Sequence, residues 1–137
     1  MTHMIPRFLK GPILSTKKSV MLLGPRQVGK STLTKALKPD LIVQLALESS
    51  FQEHAKDPDL IVRQVSALKN GRNLIVIDEV QRLPSILNTV QALVDENKNL
   101  KFVLTGSSAR KLKNGQANLL PGRVLPFFLF PVNFSKN

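Results

Sequence analysis

Three observations predict an α/β fold, a three-layer sandwich built on a five-stranded, mostly parallel sheet. Short apolar runs recur along the chain, segments of helical periodicity separate them, and the crossovers are long enough for parallel pairing. At 137 residues a single domain is the natural size. With 42% hydrophobic and 21% charged residues the chain can build a core, which excludes wholesale disorder.

Each element has its own signal. Ser19-Val-Met-Leu-Leu-Gly24 is an apolar run that stops at Gly-Pro, as a buried strand stops at a turn. From Lys30 to Lys38, apolar Leu33, Ala36 and Leu37 recur at helical spacing before Pro39 ends the segment. Leu41-Ile-Val-Gln-Leu-Ala-Leu47 reads as a second strand. Pro58 followed by Leu60, Ile61, Val65 and Leu68 reads as a helix, with Asn70-Gly71 as its stop. Leu74-Ile-Val-Ile77 is apolar throughout, as suits a strand covered on both faces. Pro84 opens a helix whose Ile86, Leu87, Val90, Leu93 and Val94 share one face. Phe102-Val-Leu-Thr105 is a fourth strand and Val124 to Phe130 a fifth, which Pro126 and Pro131 push to an edge because proline gives the ladder no donor. Residues 1–18 form an N-terminal segment and 19–137 the domain.

Composition removes several function classes. Without cysteine there is no disulfide scaffold, thiol nucleophile or cysteine zinc site, and His3 and His54 make no metal cluster alone. The longest uncharged apolar stretch, Val124 to Phe134, contains two prolines and falls short of the ~20 residues of a spanning helix. No signal-like apolar run opens the chain, so the expected location is cytoplasmic, with no membrane partner. Twenty Lys and Arg against nine Asp and Glu give a net charge of +11, concentrated at the ends. Residues 1–40 carry eight bases and one acid, 41–100 six and eight, and 101–137 six and none. Basic ends of this kind suit nucleic acid, an acidic partner domain, or solubility alone.

Gly24-Pro25-Arg26-Gln27-Val28-Gly29-Lys30-Ser31 fits the pattern Gly, any four, Gly, Lys, Ser or Thr. Four fixed positions match by chance in roughly one chain of this length in two hundred at average residue usage, so its placement matters. It lies between a strand and a helix, where backbone N–H groups and a helix N-terminus face phosphate oxygens. Gly29 lets the backbone approach, Lys30 would bridge the β- and γ-phosphates, the Ser31 hydroxyl would hold Mg²⁺, and Thr32 completes the nucleotide-binding run.

Asp78 and Glu79 follow the third apolar strand, and nucleotide sites in open α/β sheets lie outside such strand ends. Asp78 would orient the magnesium shell and Glu79 would polarise the attacking water. A strand, a helix and 48 residues separate Asp78 from Lys30, an arrangement of the P-loop NTPase branch that sets a catalytic glutamate beside the magnesium-binding aspartate. No Asn-Lys-x-Asp reads guanine, which favours ATP.

Thr105-Gly-Ser-Ser108 closes the fourth strand. Thr105, with Ser107 close behind, is the candidate to hydrogen-bond the attacking water or γ-phosphate; a turn and helix N-cap explains the same residues. Arg26, Arg110 and Arg123 are candidates to stabilise transferred-phosphate charge, although each is also compatible with a solvated arginine. Gln81-Arg82, directly after the acidic pair, is placed to relay nucleotide state outward.

Together, Leu22 to Ser31, Ile77-Asp-Glu-Val-Gln-Arg-Leu-Pro84, Phe102 to Ser108 and Leu120-Pro-Gly-Arg-Val124 resemble the prokaryotic AAA-type ATPases, in which a P-loop ATPase domain precedes a C-terminal domain of uncharacterised function. The resemblance implies a parallel five-stranded core, Walker A and Walker B motifs, ATP and Mg²⁺ as ligands, and a functional role for Arg123. It also implies self-association, since such relatives use one subunit's arginine to complete a neighbour's site. Three departures stand out. Ala46-Leu-Glu-Ser-Ser50 offers only Glu48 where the family has an Asp-rich turn, Lys136 stands where a Glu is common, and the C-terminal domain that the family places after this point is missing from the 137 residues.

The expected function is therefore Mg²⁺-dependent ATP binding with hydrolysis, catalysed by Glu79, Lys30, Thr105 and Arg123, to drive or switch a partner. The alternative is a nucleotide-controlled DNA-binding or DNA-processing switch with little turnover. A P-loop kinase is disfavoured by the Asp-Glu pair and by the lack of a recognisable acceptor pocket or lid.

Overall fold

The computed structural model describes residues 19–23, 34–106 and 124–128. Strands β1 (Ser19–Leu23), β2 (Leu41–Gln44), β3 (Asn73–Asp78), β4 (Leu100–Gly106) and β5 (Val124–Phe128) form one sheet in the order β2-β3-β4-β1-β5. Every pairing is parallel. Among the described residues the complete helices are α1 (Glu48–Lys56), α2 (Leu60–Ser66) and α3 (Ile86–Glu96), with a 3₁₀ turn at Val80–Arg82. This is the parallel α/β architecture that the alternating pattern predicts.

Both faces of the sheet are buried, which is why its strands read as nearly continuous apolar runs. On one face Met21, Val43, Ile75, Ile77, Phe102 and Leu104 pack with Ile61 and Val65 of α2 and with Ile86, Leu87, Val90 and Leu93 of α3. On the other, Val20, Leu22, Val76 and Val103 are also fully buried. A Ser19 hydroxyl oxygen accepts the Phe102 amide at 3.0 Å and pins the start of β1 to β4.

Local stops fall where the sequence puts them. Residues 34–36 are helical, and the chain leaves the helix at Lys38, left-handed at φ 54°, immediately before Pro39. Asn70-Gly71 follows α2, and Gly71 takes φ 111°, a conformation that disfavours a side chain. β5 lies at the sheet edge, with Pro126 in register with Met21. There the missing proline donor costs the ladder nothing on the outer side.

Two elements differ from expectation. β2 ends at Gln44 rather than Leu47, because Leu47 N–H turns back to the Gln44 carbonyl at 3.0 Å and α1 begins. α1 itself has no apolar stripe to announce it, since Phe51 and Ala55 are its only apolar residues. It is held instead by the buried His54, whose Nδ1 donates to the Ser50 carbonyl at 2.8 Å and whose Nε2 pairs with the Gln64 side chain of α2 at 3.0 Å.

Candidate functional site

The strand order makes the site. β1 lies between β4 and β5, while the chain's next strand, β2, lies at the far edge, so consecutive strands diverge from β1. Ligands in open α/β sheets bind outside the C-terminal strand ends at such a switch point. The register sets Leu22 beside Thr105 and Leu23 beside Gly106. Leu23 directly precedes Gly24, so the described strand leads into the glycine motif at the level of the β4 end.

Asp78 is the last residue of β3, and Glu79 follows it with φ 58° and ψ 52°. A left-handed glutamate is strained by roughly 1–2 kcal/mol relative to ordinary backbone. Thr105 of β4 spans the pair. Its hydroxyl donates to the Asp78 carboxylate, and the same oxygen accepts the Glu79 amide at 3.0 Å. Thr105 is fully buried and Glu79 only 6% exposed. The Glu79 carboxylate also accepts a hydrogen bond from the Gln81 side-chain amide.

Around this cluster runs a second set of contacts. The Arg82 guanidinium donates to the Leu45 carbonyl at 2.9 Å and the Ala46 carbonyl at 3.4 Å. It also reaches the Glu48 carboxylate at 3.2 Å and lies 4.4 Å from the Phe51 ring centre. Hydrogen bonds from Gln52 and then Arg82 hold the Glu48 carboxyl below its ordinary range.

Asp78, Glu79 and Thr105 are thus brought together. Gly24, Pro25, Arg26, Gln27, Val28, Gly29, Lys30, Ser31 and Thr32 lie outside the described residues, as do Ser107, Arg110 and Arg123. The sequence reading gave the Thr105 hydroxyl to water or phosphate. In the structure its proton goes to Asp78 and its oxygen accepts the Glu79 amide. The sequence reading missed the direct contact of Gln81 with Glu79 and the grip of Arg82 on residues 45–51. An amide two residues beyond a candidate base was the available signal for the first; no local pattern announces the second.

Mg²⁺ takes oxygen ligands and is commonly held by one or two carboxylates plus substrate phosphates, not by an all-protein cage. The half-buried Asp78 carboxylate at the strand end fits that demand. Among the described residues no group of three or more His, Cys, Asp or Glu could hold a metal ion, and no helix is long and apolar enough to cross a membrane.

A parallel sheet with paired acids at the end of β3 and a glycine motif after β1 defines a class of nucleotide-binding α/β domain. The family model of the AAA domain matches residues 16–136, and the chain belongs to that family. An uncharacterised protein of Mycobacterium tuberculosis, Rv2008c, is 35% identical over 107 residues, which is 77% of this chain and 23% of that protein. The chain thus spans about a quarter of that relative's length. Among solved structures, Aeropyrum pernix ORC1 in complex with DNA matches with a TM-score of 0.63 and 15% identity, covering 92% of this chain and 44% of that one. Drosophila ORC bound to DNA matches at a TM-score of 0.61 and 9% identity, covering 95% and 93%. At these identities the two structures bear on the fold alone.

Proposed function

We propose that the domain formed by residues 19–137 binds ATP with Mg²⁺ and hydrolyses it to ADP and phosphate. The observation that carries this reading is the Thr105-bridged Asp78–Glu79 pair at the end of β3, one strand away from β1, which leads into Gly24-Pro-Arg-Gln-Val-Gly-Lys-Ser31. AAA-domain membership supports it. Gly24 to Thr32 would wrap the phosphates with backbone N–H groups, and Lys30 would neutralise charge on the β- and γ-phosphates. Ser31 and Asp78 would hold the metal, which supplies charge neutralisation on the phosphate oxygens. Glu79 would orient a water and take its proton as the oxygen attacks the γ-phosphorus and the bond to the ADP oxygen breaks. Arg123 would meet charge on the transferred group, in cis or from a second copy of the chain.

Calorimetric titration of ATP with Mg²⁺ into the wild type and Lys30→Ala, followed by phosphate release on the same samples, tests this. Binding lost in Lys30→Ala, with release by the wild type, is expected. Equal binding by both proteins would overturn the assignment of the glycine motif.

A second reading is favoured by the basic ends: a nucleotide-controlled DNA-binding switch, as DNA is present in both ORC structures. Its mark is DNA affinity that falls steeply with salt and changes with ATP. Absence of binding at low salt would remove it.

A further inference from the structure

We propose that Arg82 is a positioning residue for Glu79, fastening the left-handed turn that carries this carboxylate to the segment between β2 and α1. The proposal rests on the reading of Glu79 as the base. A non-glycine residue at φ 58° persists only where its surroundings over-determine it. Thr105 holds the turn from the β4 side through the Glu79 amide, and fully buried Val80 anchors it in the core.

The remaining side is closed by a ring of hydrogen bonds. The Leu45 amide donates to the Asp78 carbonyl at 3.2 Å. The Leu45 carbonyl accepts from the Arg82 guanidinium at 2.9 Å. The Arg82 amide returns to the Glu79 carbonyl at 3.0 Å. Asp78 and Glu79 are adjacent, so the ring runs from one acid, through Leu45 and Arg82, back to the other. Contact of the guanidinium plane with Phe51 fixes the head group that makes the middle link. A planar fork with several donors, able to stack on a ring, is specific to arginine; a lysine brings one compact ammonium. The Glu48 partner is the dispensable member, because its side chain is 66% exposed and such pairs contribute little.

The test uses the nucleotide-free chain first. Amide hydrogen exchange at Glu79, measured by NMR in the wild type, Arg82→Ala and Arg82→Lys, reads the turn directly. Exchange at Glu79 is expected to speed up by about tenfold or more in Arg82→Ala, with Ile75 in β3 unchanged. In the same variant kcat for ATP is expected to fall about tenfold or more at ATP affinity within about twofold of wild type. Arg82→Lys recovers part of both losses and serves alone where the alanine variant does not fold. Glu48→Gln leaves both within about twofold.

Unchanged Glu79 exchange would overturn the proposal. So would losses of affinity and melting temperature in parallel with kcat, which mark a merely structural role. A wild type that binds ATP without hydrolysing it would remove the assignment of Glu79 as base, and the exchange data would still decide whether Arg82 holds the turn.

Discussion

Thr105 and Glu79 meet across two neighbouring strands: the Thr105 hydroxyl oxygen accepts the Glu79 amide hydrogen at 3.0 Å. Because its proton goes to Asp78, one buried hydroxyl fixes the backbone of one acid and the side chain of the other. Thr105→Val keeps the shape and leaves the Glu79 N–H without this partner in a dry site. We expect a loss of about 1–3 kcal/mol in urea unfolding, with Thr105→Ser closer to wild type. A valine variant as stable as the wild type would remove the bridge from the account.

Glu79 carries two separable burdens, its backbone conformation and its carboxylate. Glu79→Gln should keep ATP affinity while lowering phosphate release by about a hundredfold or more. Glu79→Gly should be more stable than Glu79→Ala by about 1 kcal/mol, since glycine adopts the left-handed turn without strain. Thermal or urea unfolding of the pair decides the second point, and the reverse order of stability would contradict the left-handed assignment.

Phe102 is fully buried in the middle of β4. Phe102→Ala should cost about 3–5 kcal/mol in denaturant unfolding, through lost burial and the cavity left behind. A cost near that of a surface substitution would contradict the packing of the sheet against α2 and α3.

The Glu48 carboxyl titrates below its ordinary value of 4.5 in the folded chain, held by Gln52 first and Arg82 second. A depressed folded value means that its contribution is present above the ordinary glutamate range and is lost as pH falls through the folded value. The stability difference between wild type and Glu48→Gln should therefore favour the wild type near neutrality and vanish in acid. Urea midpoints across that range check the sign; a difference that grew on acidification would refute it.

Much of the fold was legible because local signals agree with burial. Leu74 to Ile77 is apolar on both faces because both faces are covered, and α3 shows its stripe because only one face is. α1 gave no such signal, since its hold on the fold runs through polar His54 and through Phe51 beneath a guanidinium. At the site, strand-end logic put Asp78 and Glu79 at the C-terminal end of the third strand, where they lie in the structure. What the Thr105 hydroxyl touches depends on the pairing of β3 with β4, which no local window contains. The Arg82 ring is less legible still, because its members are 37 residues apart in sequence and meet only after β2 has paired with β3.

The position of β1 also has a consequence for the order in which the protein is made. Ser19 must find Phe102, a partner 83 positions later, before its strand has a neighbour on the β4 side. A ribosome therefore releases the glycine motif long before the ledge beside it exists, and β2 and β3 can pair with each other in the meantime. Such distant pairing slows folding, because the loop must close before its contacts repay the entropy. Until β4 has emerged, the nascent chain carries its glycine motif after a strand that has no neighbour in the sheet, so the nucleotide site proposed above is not yet assembled in the early stages of folding.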